Sequence, residues 1–359
     1  MTFDFFAEYE CVSREKIKEV TDGEIIPSEK ITILATGLAN PNLKELVRLH
    51  YQELVCKKAH LNKEISQRVE DIKEIGIINT PPNLEKYPTG SFFVFFKFIL
   101  EKPFISRDDI PFYIIENPVR KDKVFKVPVV SAAAWKGNLR WIIQKIFLQD
   151  CHEDFAEERF RHSLLFGTEK GMEEEGLKSW AKFLKDLNPE ADNVYRHKLV
   201  EHFYPNLPLD KKPEPHLIKI KGRLNFYPTF FNQIDLTVIN PHDRKTKTGK
   251  NPILIECVPA GTEGVFSLLY VPFDLIGKDE NRIKMETKLD LERVLQGIKA
   301  MFLTYGFSAK KNSGFGVAKD EIEGMVIANM AVNPDFEKAG DVFQYRIGKL
   351  STLGVGNYE

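Results

Sequence analysis

The chain has 359 residues, of which 43% are hydrophobic, 11% aromatic and 29% charged. This composition excludes a disordered or low-complexity chain and predicts a globular protein of one large domain or two ordinary ones. Lysine plus arginine number 51 and aspartate plus glutamate number 52, so the net charge is −1. A uniformly basic coat for nucleic acid is therefore excluded, whereas a basic face balanced by an acidic one is not.

The sequence predicts a cytoplasmic protein without a membrane span. Its four cysteines lie far apart and form no CxxC pair, which argues against a disulfide framework or a zinc ribbon. The N-terminal residues are acidic and lack the basic and apolar regions of a signal peptide. The apolar run at 91–100 is short and contains Lys97, so we interpret it as a strand.

Residues 1–88 are predicted to form a largely helical N-terminal appendage. Within it, residues 30–35 are predicted as a strand and residues 42–75 as one long helix with an apolar face. Proline, asparagine and glycine residues near 79–90 are typical of a linker. The second unit, residues 89–359, would then begin with the phenylalanine-rich strand at 91–105.

Residues 89–359 alternate strands and helices in a pattern that predicts an α+β fold. Ser131 occupies an N-cap position before a helix that reaches about residue 150, and an acidic helical insert follows at about 150–205. Further elements are predicted as strands at 223–231, 236–239, 253–257, 265–271, 324–331 and 342–347, and a helix at 288–305. We expect a ferredoxin-like, RNA-recognition-type antiparallel sheet with helices on one face and a C-terminal glycine-rich loop.

Charge is distributed unevenly along the chain. Residues 117–147 contain seven basic residues and one acidic residue, whereas residues 150–192 contain twelve acidic and six basic residues. Residues 211–252 are again basic, with nine basic residues and three acidic ones. Each run is explained by a solvated face, but basic segments that also contain aromatic residues favour a partner that carries phosphates.

The first candidate site is the start of the helix that follows Ser131. A helix N-terminus favours an anion, and Lys136 and Arg140, four residues apart, share one helix face. Gly137 between them allows another backbone to approach closely. This set is suited to grip consecutive phosphates. The alternative interpretation is an exposed basic stripe with a glycine that serves packing.

The second candidate site is the glycine-rich loop, residues 306–316. Its glycines permit positive φ and expose backbone N–H groups, and its lysines and serines supply phosphate donors. The loop matches neither a Walker loop nor a dinucleotide fingerprint, and a β-turn with solvated lysines is the alternative. Its candidate binding residues are Lys310, Lys311, Ser313, Gly314 and Gly316.

Together the two segments resemble the RAMP superfamily, the repeat-associated mysterious proteins of CRISPR systems, over residues 91–354. Residues 128–140 are similar to the family segment P-x-I-P-G-S-S-L-K-G-x-L-R, of which this chain retains Lys136, Gly137, Leu139 and Arg140. Alanines 133 and 134 replace the two serines and Trp135 replaces the leucine, so phosphate contacts there would come from backbone N–H groups. Further segments resemble the family at 165–167, 222–227, 258–262 and 306–316.

The resemblance implies an RNA-binding subunit of a type III CRISPR effector ribonucleoprotein in antiviral defence. Its partners would be CRISPR RNA, target RNA paired to that guide, and other RAMP subunits that stack into a filament. The basic helix and the glycine-rich loop would hold the guide's backbone, and base pairing would supply the sequence specificity.

Two further hypotheses stay open, an endoribonuclease that cuts guide-paired target RNA and a structural subunit that caps the complex. Family members that cut target RNA carry an aspartate before an N-P-V stretch, and here that position is Glu116. With Asp108 and Asp109 as reserve candidates, such a carboxylate would bind Mg²⁺ or orient a ribose hydroxyl. The alternative for Glu116 is a surface ion pair with Arg120 or Lys121. No histidine or cysteine spacing indicates structural zinc.

Overall fold

The computed structural model describes residues 13–56, 59–77, 81–108, 113–149, 154–168, 180–240 and 252–354. Its helices are α1 (Arg14–Asp22), α2 (Pro27–Thr36), α3 (Lys44–Cys56), α4 (Ala59–Glu74), α5 (Ala132–Phe147), α6 (Phe155–Phe166), α7 (Trp180–Leu187), α8 (Pro189–Phe203) and α9 (Glu280–Ala300). Its strands are β1 (Phe92–Leu100), β2 (Val129–Val130), β3 (Leu224–Phe226), β4 (Thr229–Phe230), β5 (Asp235–Ile239), β6 (Ile253–Cys257), β7 (Glu263–Tyr270), β8 (Ala318–Ala328), β9 (Glu337–Ala339) and β10 (Val342–Ile347). Across these ranges, no helix is both long and apolar enough to cross a membrane.

The main sheet has the strand order β3-β7-β1-β8-β10-β9, and each neighbouring pair is antiparallel. Along the chain, β1, α5, β3, β7, α9 and β8 follow one another as strand, helix, two strands, helix and strand. That succession with this strand order is the ferredoxin-like arrangement. The predicted α+β fold is confirmed, and β9 and β10 extend the sheet at one edge.

Alternation along β1 divides the apolar residues between the two faces of the sheet. Phe96 and Phe98 point into the main core, where Phe98 meets Trp135 of α5 edge-on at 6.4 Å between ring centroids. Phe302, just after α9, stacks on Trp135 at 5.5 Å. Phe93 belongs to a smaller cluster on the opposite face. Helices α5 and α9 therefore cover one face, as the sequence predicts.

The N-terminal helices differ from the sequence prediction in two places. Residues 30–35, predicted as a strand, lie in helix α2, which has Pro27 in its first turn. The carboxylate of Glu64 in α4 accepts the backbone N–H of Ser28 at 3.0 Å, so a distant side chain caps this helix. The predicted helix at 42–75 is observed as α3 and α4. The proposed division of the chain near residue 88 stays a prediction.

Helix α4 also contacts the loop between β4 and β5 of the second unit. The side-chain amide of Asn62 pairs with the backbone of Ile234, which donates to it at 2.9 Å. Apolar residues of α1 to α4 belong to the same buried cluster as the sheet and its helices. The appendage is thus packed against the ferredoxin-like core.

The acidic insert is helical in its described part, as predicted, and contains α6, α7 and α8. Within it, the buried guanidinium of Arg159 pairs with Asp192 at 2.6 Å. It is tied to the core through His202 of α8, whose Nε2 lies 2.8 Å from Asp274. The buried guanidinium of Arg223 donates hydrogen bonds to Asp274 and to Asp290, the latter of which lies in α9. Arg223 and His202 hold the pKa of Asp274 well below its ordinary value although burial opposes this.

Further elements differ from their predicted ranges: the strand predicted at 91–105 ends at Leu100, and the strand predicted at 223–231 is observed as β3 and β4. Helix α9 begins at Glu280, two turns before the predicted start, where Asp279 caps it by accepting the backbone N–H of Arg282 at 3.1 Å. Strand β8 begins at Ala318 rather than near 324. The short, exposed β9 was not predicted from the sequence.

Candidate functional site

Helix α5 begins as the sequence predicts. The hydroxyl of Ser131 accepts the backbone N–H of Ala134 at 3.2 Å and caps the first turn. Lys136 and Arg140 are half-buried on one flank of the helix. Partial burial lowers the pKa of Lys136, and the nearby charges of Arg140 and Lys221 lower it further. Three cations therefore lie near one another here, and Lys221 is one that sequence reasoning missed.

Gly137 lies in the exposed surface of α5. At about 100° per residue, it falls between the flank of Lys136 and Arg140 and the flank of Asn138 and Trp141. A Cβ added at Gly137 would meet no atom within 4 Å. The glycine therefore does not serve packing within the described part of the chain, whereas the role of the basic stripe beside it stays a prediction.

The glycine-rich loop is a tightly folded turn rather than an open hairpin tip. Gly316 has φ of +68°, and a Cβ there would lie 2.3 Å from the Cβ of Ser308. The Ser308 hydroxyl donates to Ile105 O at 2.7 Å and accepts Ile105 N at 2.8 Å. Gly316 N donates to Pro103 O at 2.9 Å. The segment after β1 thus holds the base of the loop in place.

The structure brings the loop and helix α5 together through Asn138. The Nδ2 of Asn138 donates to Ala134 O at 3.0 Å and to Phe307 O at 3.3 Å, and its Oδ1 accepts from Lys311 Nζ. Partial burial lowers the pKa of Lys311. Lys311 therefore borders the surface around Gly137 on the side opposite Lys136 and Arg140.

The remaining predicted loop residues lie at its tip. Lys310 and Ser313 are exposed, and Gly314 is half-buried with φ of +76°. Lys310 itself adopts the left-handed conformation with φ of 55°. Asn312 is also exposed, so the tip presents polar groups to solvent.

Trp135 is not available to a ligand. It is fully buried in the core, and its indole N–H donates to Thr229 Oγ1 at 3.0 Å. The other tryptophan of the basic segment 117–147, Trp141, is exposed, with 39% of its surface accessible.

Two family-like segments, 165–167 and 222–227, lie side by side. Arg223 N donates to Leu164 O at 2.8 Å, and Gly167 pairs with Lys221 in an isolated β-bridge. His162, one turn before this bridge, is buried and lies 3.2 Å from Arg140 O through Nε2. Burial, with the charge of Arg140, lowers the pKa of His162 to about 3. A neutral imidazole therefore supports the backbone of Arg140.

Glu116 is exposed and pairs with neither Arg120 nor Lys121. Its carboxylate lies 3.2 Å from a guanidinium nitrogen of Arg48 in helix α3, and 80% of its side-chain surface is accessible. Asp108 accepts the backbone N–H of Lys121 at 3.3 Å. Asp109 lies outside the described residues, as does the polar loop at 243–250.

A buried carboxylate holds the segment around Glu116 in place. Glu256 of β6 accepts the Val119 backbone N–H at 2.9 Å, the Lys121 ammonium at 2.5 Å and the Tyr51 hydroxyl. Burial raises the pKa of Glu256 to about 8 and lowers that of Lys121 to about 7, although Asp108 opposes the latter shift. Sequence reasoning missed this cluster because its members come from β6, α3 and an irregular loop.

The described residues do not by themselves form a magnesium site. No group of three or more histidine, cysteine, aspartate or glutamate side chains converges among them. Glu116 faces Arg48, and Asp108 is turned to a backbone N–H. We therefore derive no step through a metal, and the nuclease assignment stays a hypothesis.

Comparison with known proteins places this architecture in a family. A sequence profile described as the RAMP superfamily matches residues 31–319, beginning inside the helical appendage rather than at residue 91. The chain is distantly similar to a chain of the "Cryo-EM structure of the Type III-B Cmr-beta bound to cognate target RNA", with a TM-score of 0.44, 11% identity, and coverage of 87% of this chain and 99% of that one.

Two other solved structures show comparable likeness. A chain of the "Crystal structure of Csm3-Csm4 subcomplex in the type III-A CRISPR-Cas interference complex" has a TM-score of 0.33 and 12% identity, covering 74% of this chain and 92% of that one. A chain of a "CRISPR RNA-guided surveillance complex" has a TM-score of 0.35 and 14% identity, covering 66% and 70%. No curated protein matches the sequence significantly. Because the family profile spans most of its length, the chain belongs to the RAMP superfamily.

Proposed function

We propose that this protein is a CRISPR RNA-binding subunit of a type III effector ribonucleoprotein that acts in the cytoplasm. The observation that carries the proposal is the surface around Gly137, which has Lys136 and Arg140 on one side and Lys311 on the other. A phosphate backbone that crosses this surface meets cations on both sides, and no atom of the described residues lies within 4 Å of the position that a Cβ on Gly137 would take.

Membership of the RAMP superfamily supports this assignment. The net charge of −1 fits a subunit that binds RNA through one local surface. Sequence specificity would come from pairing between guide and target, while the protein contacts the backbone. Other RAMP subunits would lie beside it along the guide.

The salt dependence of RNA binding tests the proposal. The double variant Lys136→Ala with Arg140→Ala should weaken binding of single-stranded repeat RNA to the full chain. Each phosphate contact on a single strand contributes about 0.7 to the slope of log K against log salt, so losing two should flatten it by about 1.4. Affinity is measured by fluorescence anisotropy between low and moderate salt.

The control removes the same charge from another helix. Lys284→Ala with Lys288→Ala takes two exposed cations, four residues apart, from helix α9. This variant should keep the wild-type affinity and slope. Equal slopes for the wild type and the Lys136/Arg140 variant would contradict the proposed contact surface.

Target cleavage is a second candidate function, and the firmly anchored loop around Glu116 favours it. Glu256 fixes the backbone at Val119, while Glu116 itself stays exposed. Assembled complex should then cut complementary RNA in the presence of Mg²⁺ and stop on addition of EDTA. Glu116→Gln should abolish cutting while guide binding is retained. Cutting by the Glu116→Gln variant would exclude Glu116 from the reaction.

A further inference from the structure

A cluster of aromatic rings and cations lies one helical turn beyond Gly137. Trp141 of α5 meets Tyr305 edge-on, with 5.4 Å between ring centroids. Lys145 Nζ lies 5.4 Å from the centroid of each ring, and Lys311 Nζ lies 4.9 Å from that of Trp141. Three separate parts of the chain therefore converge on one exposed indole.

A π-helical segment of the backbone places Tyr305 beside Trp141. Residues Met301–Tyr305 form a π-helical segment at the end of α9, and this segment ends at Gly306, the first residue of the glycine-rich loop. Short π-helical segments interrupt α-helices frequently at functional sites. After Tyr305 the loop folds back, so that Lys311 reaches the same indole.

Folding does not account for the exposure of Trp141. A surface helix keeps its apolar residues on the side that faces the core, and α5 does so with Trp135, Leu139 and Ile142. Trp141 stands outside that stripe, with an accessible indole. Large aromatic side chains that are exposed beside cations are typical of surfaces on which nucleobases stack.

The lysines are compatible with such a ligand. Lys145 and Lys311 are half-buried, and a contact between such an ammonium and a ring contributes about 1–2 kcal/mol, which the stacking of a base on that ring, at about 1–3 kcal/mol, offsets when it displaces the ammonium. The released ammonium of Lys145 or Lys311 then pairs with the phosphate next to the base. Gly137 and Trp141 are about 6 Å apart along the helix axis, the span of roughly one nucleotide.

We propose that Trp141, supported by Tyr305 and flanked by Lys145 and Lys311, is a stacking site for one unpaired base of a bound single-stranded RNA. The inference rests on the proposed function, since the strand whose backbone passes Gly137 supplies the base. The site adds an aromatic contact to a surface otherwise made of cations and backbone.

The test compares two probes that differ in their bases and share their phosphates. One is a labelled oligouridylate of about 12 nucleotides, and the other has the same length with abasic residues at its centre. Binding to the full chain is measured by anisotropy. Trp141→Ala should weaken binding of the base-bearing probe about tenfold, equivalent to about 1.4 kcal/mol, and leave the abasic probe unaffected. Trp141→Phe should restore most of the affinity.

Matched variants separate the outcomes. Ile146→Ala, which shortens another exposed apolar residue of α5, should change neither probe. Equal weakening of both probes by Trp141→Ala and by Trp141→Gln would overturn the stacking site. Unchanged binding in both Trp141 variants, with loss in the Lys136/Arg140 variant, would overturn stacking and leave the proposed function standing. A wild-type chain that binds neither probe would overturn both.

Discussion

Replacing Gly137 by alanine should stabilise the free protein and weaken its binding to RNA. Glycine in a helix interior costs roughly 0.5–1 kcal/mol relative to alanine, and none of the residues that the structure describes has an atom within 4 Å of the added Cβ. The unfolding free energy should therefore rise by that amount, which raises the Tm of a chain this long by about 1 °C. In the complex, however, the methyl group would occupy the space through which the RNA backbone passes.

The opposite signs of the two effects make this substitution informative. We expect Gly137→Ala to weaken RNA binding about threefold and Gly137→Gln about tenfold, the latter close to the loss of one charge-assisted hydrogen bond. Thermal unfolding and anisotropy are measured on the same preparations. Gly348→Ala, at another exposed glycine with open space around it, should leave RNA affinity unchanged. If both Gly137 variants bind RNA as the wild type does, the backbone does not cross the helix there.

Two further predictions concern the parts that support this surface. Gly316→Ala should disrupt the glycine-rich loop and weaken RNA binding, because φ at this position is positive and the added Cβ would overlap Ser308. In Gly314→Ala the added Cβ meets no described atom within 4 Å, so this variant should cost only about 1 kcal/mol of unfolding free energy. Equal effects in both variants would refute the structural role of Gly316. Burial depresses the pKa of His162 to about 3, so the unfolded chain takes up a proton at this residue at a higher pH than the folded chain does. The contribution of His162 to the unfolding free energy is therefore complete above about pH 6.5 and falls by about 1.4 kcal/mol per pH unit as the pH drops from there toward 3. Denaturant unfolding at pH 6 and pH 5 should show this loss in the wild type and a smaller one in His162→Gln; parallel profiles would contradict it.

Local signals predicted the elements that matter most for the fold. Ser131 caps α5 as expected because capping is decided by neighbouring residues. Residues 30–35 were misassigned as a strand because Ile31, Thr32 and Ile33 are β-branched, and the carboxylate that caps their helix comes from Glu64, far along the chain. Contacts of that kind cannot be derived from propensity alone.

The sequence predicts the charged residues of the candidate site but not the contacts that bring them together. The sequence indicates Lys136, Arg140 and Lys311, but their distribution over two sides of α5 depends on which face the core covers. Asn138 is an unfavourable residue for a helix interior, and this was the one local signal of its role as a bridge to the loop. Glu116 pairs with Arg48 of helix α3, and no sequence motif predicts that this helix packs near Glu116.

The π-helical segment before the glycine-rich loop affects how relatives should be aligned with this chain. A π-helical turn contains about one residue more than an α-helical turn. A relative with one residue fewer between 301 and 305 would close the same turn with α-helical spacing, and the chain after it would keep its orientation around the helix axis. Its tyrosine and loop lysines would then face the same way as they do here. A single-residue gap at this point in an alignment therefore marks the loss of the π-helical turn and leaves the direction of the loop unchanged.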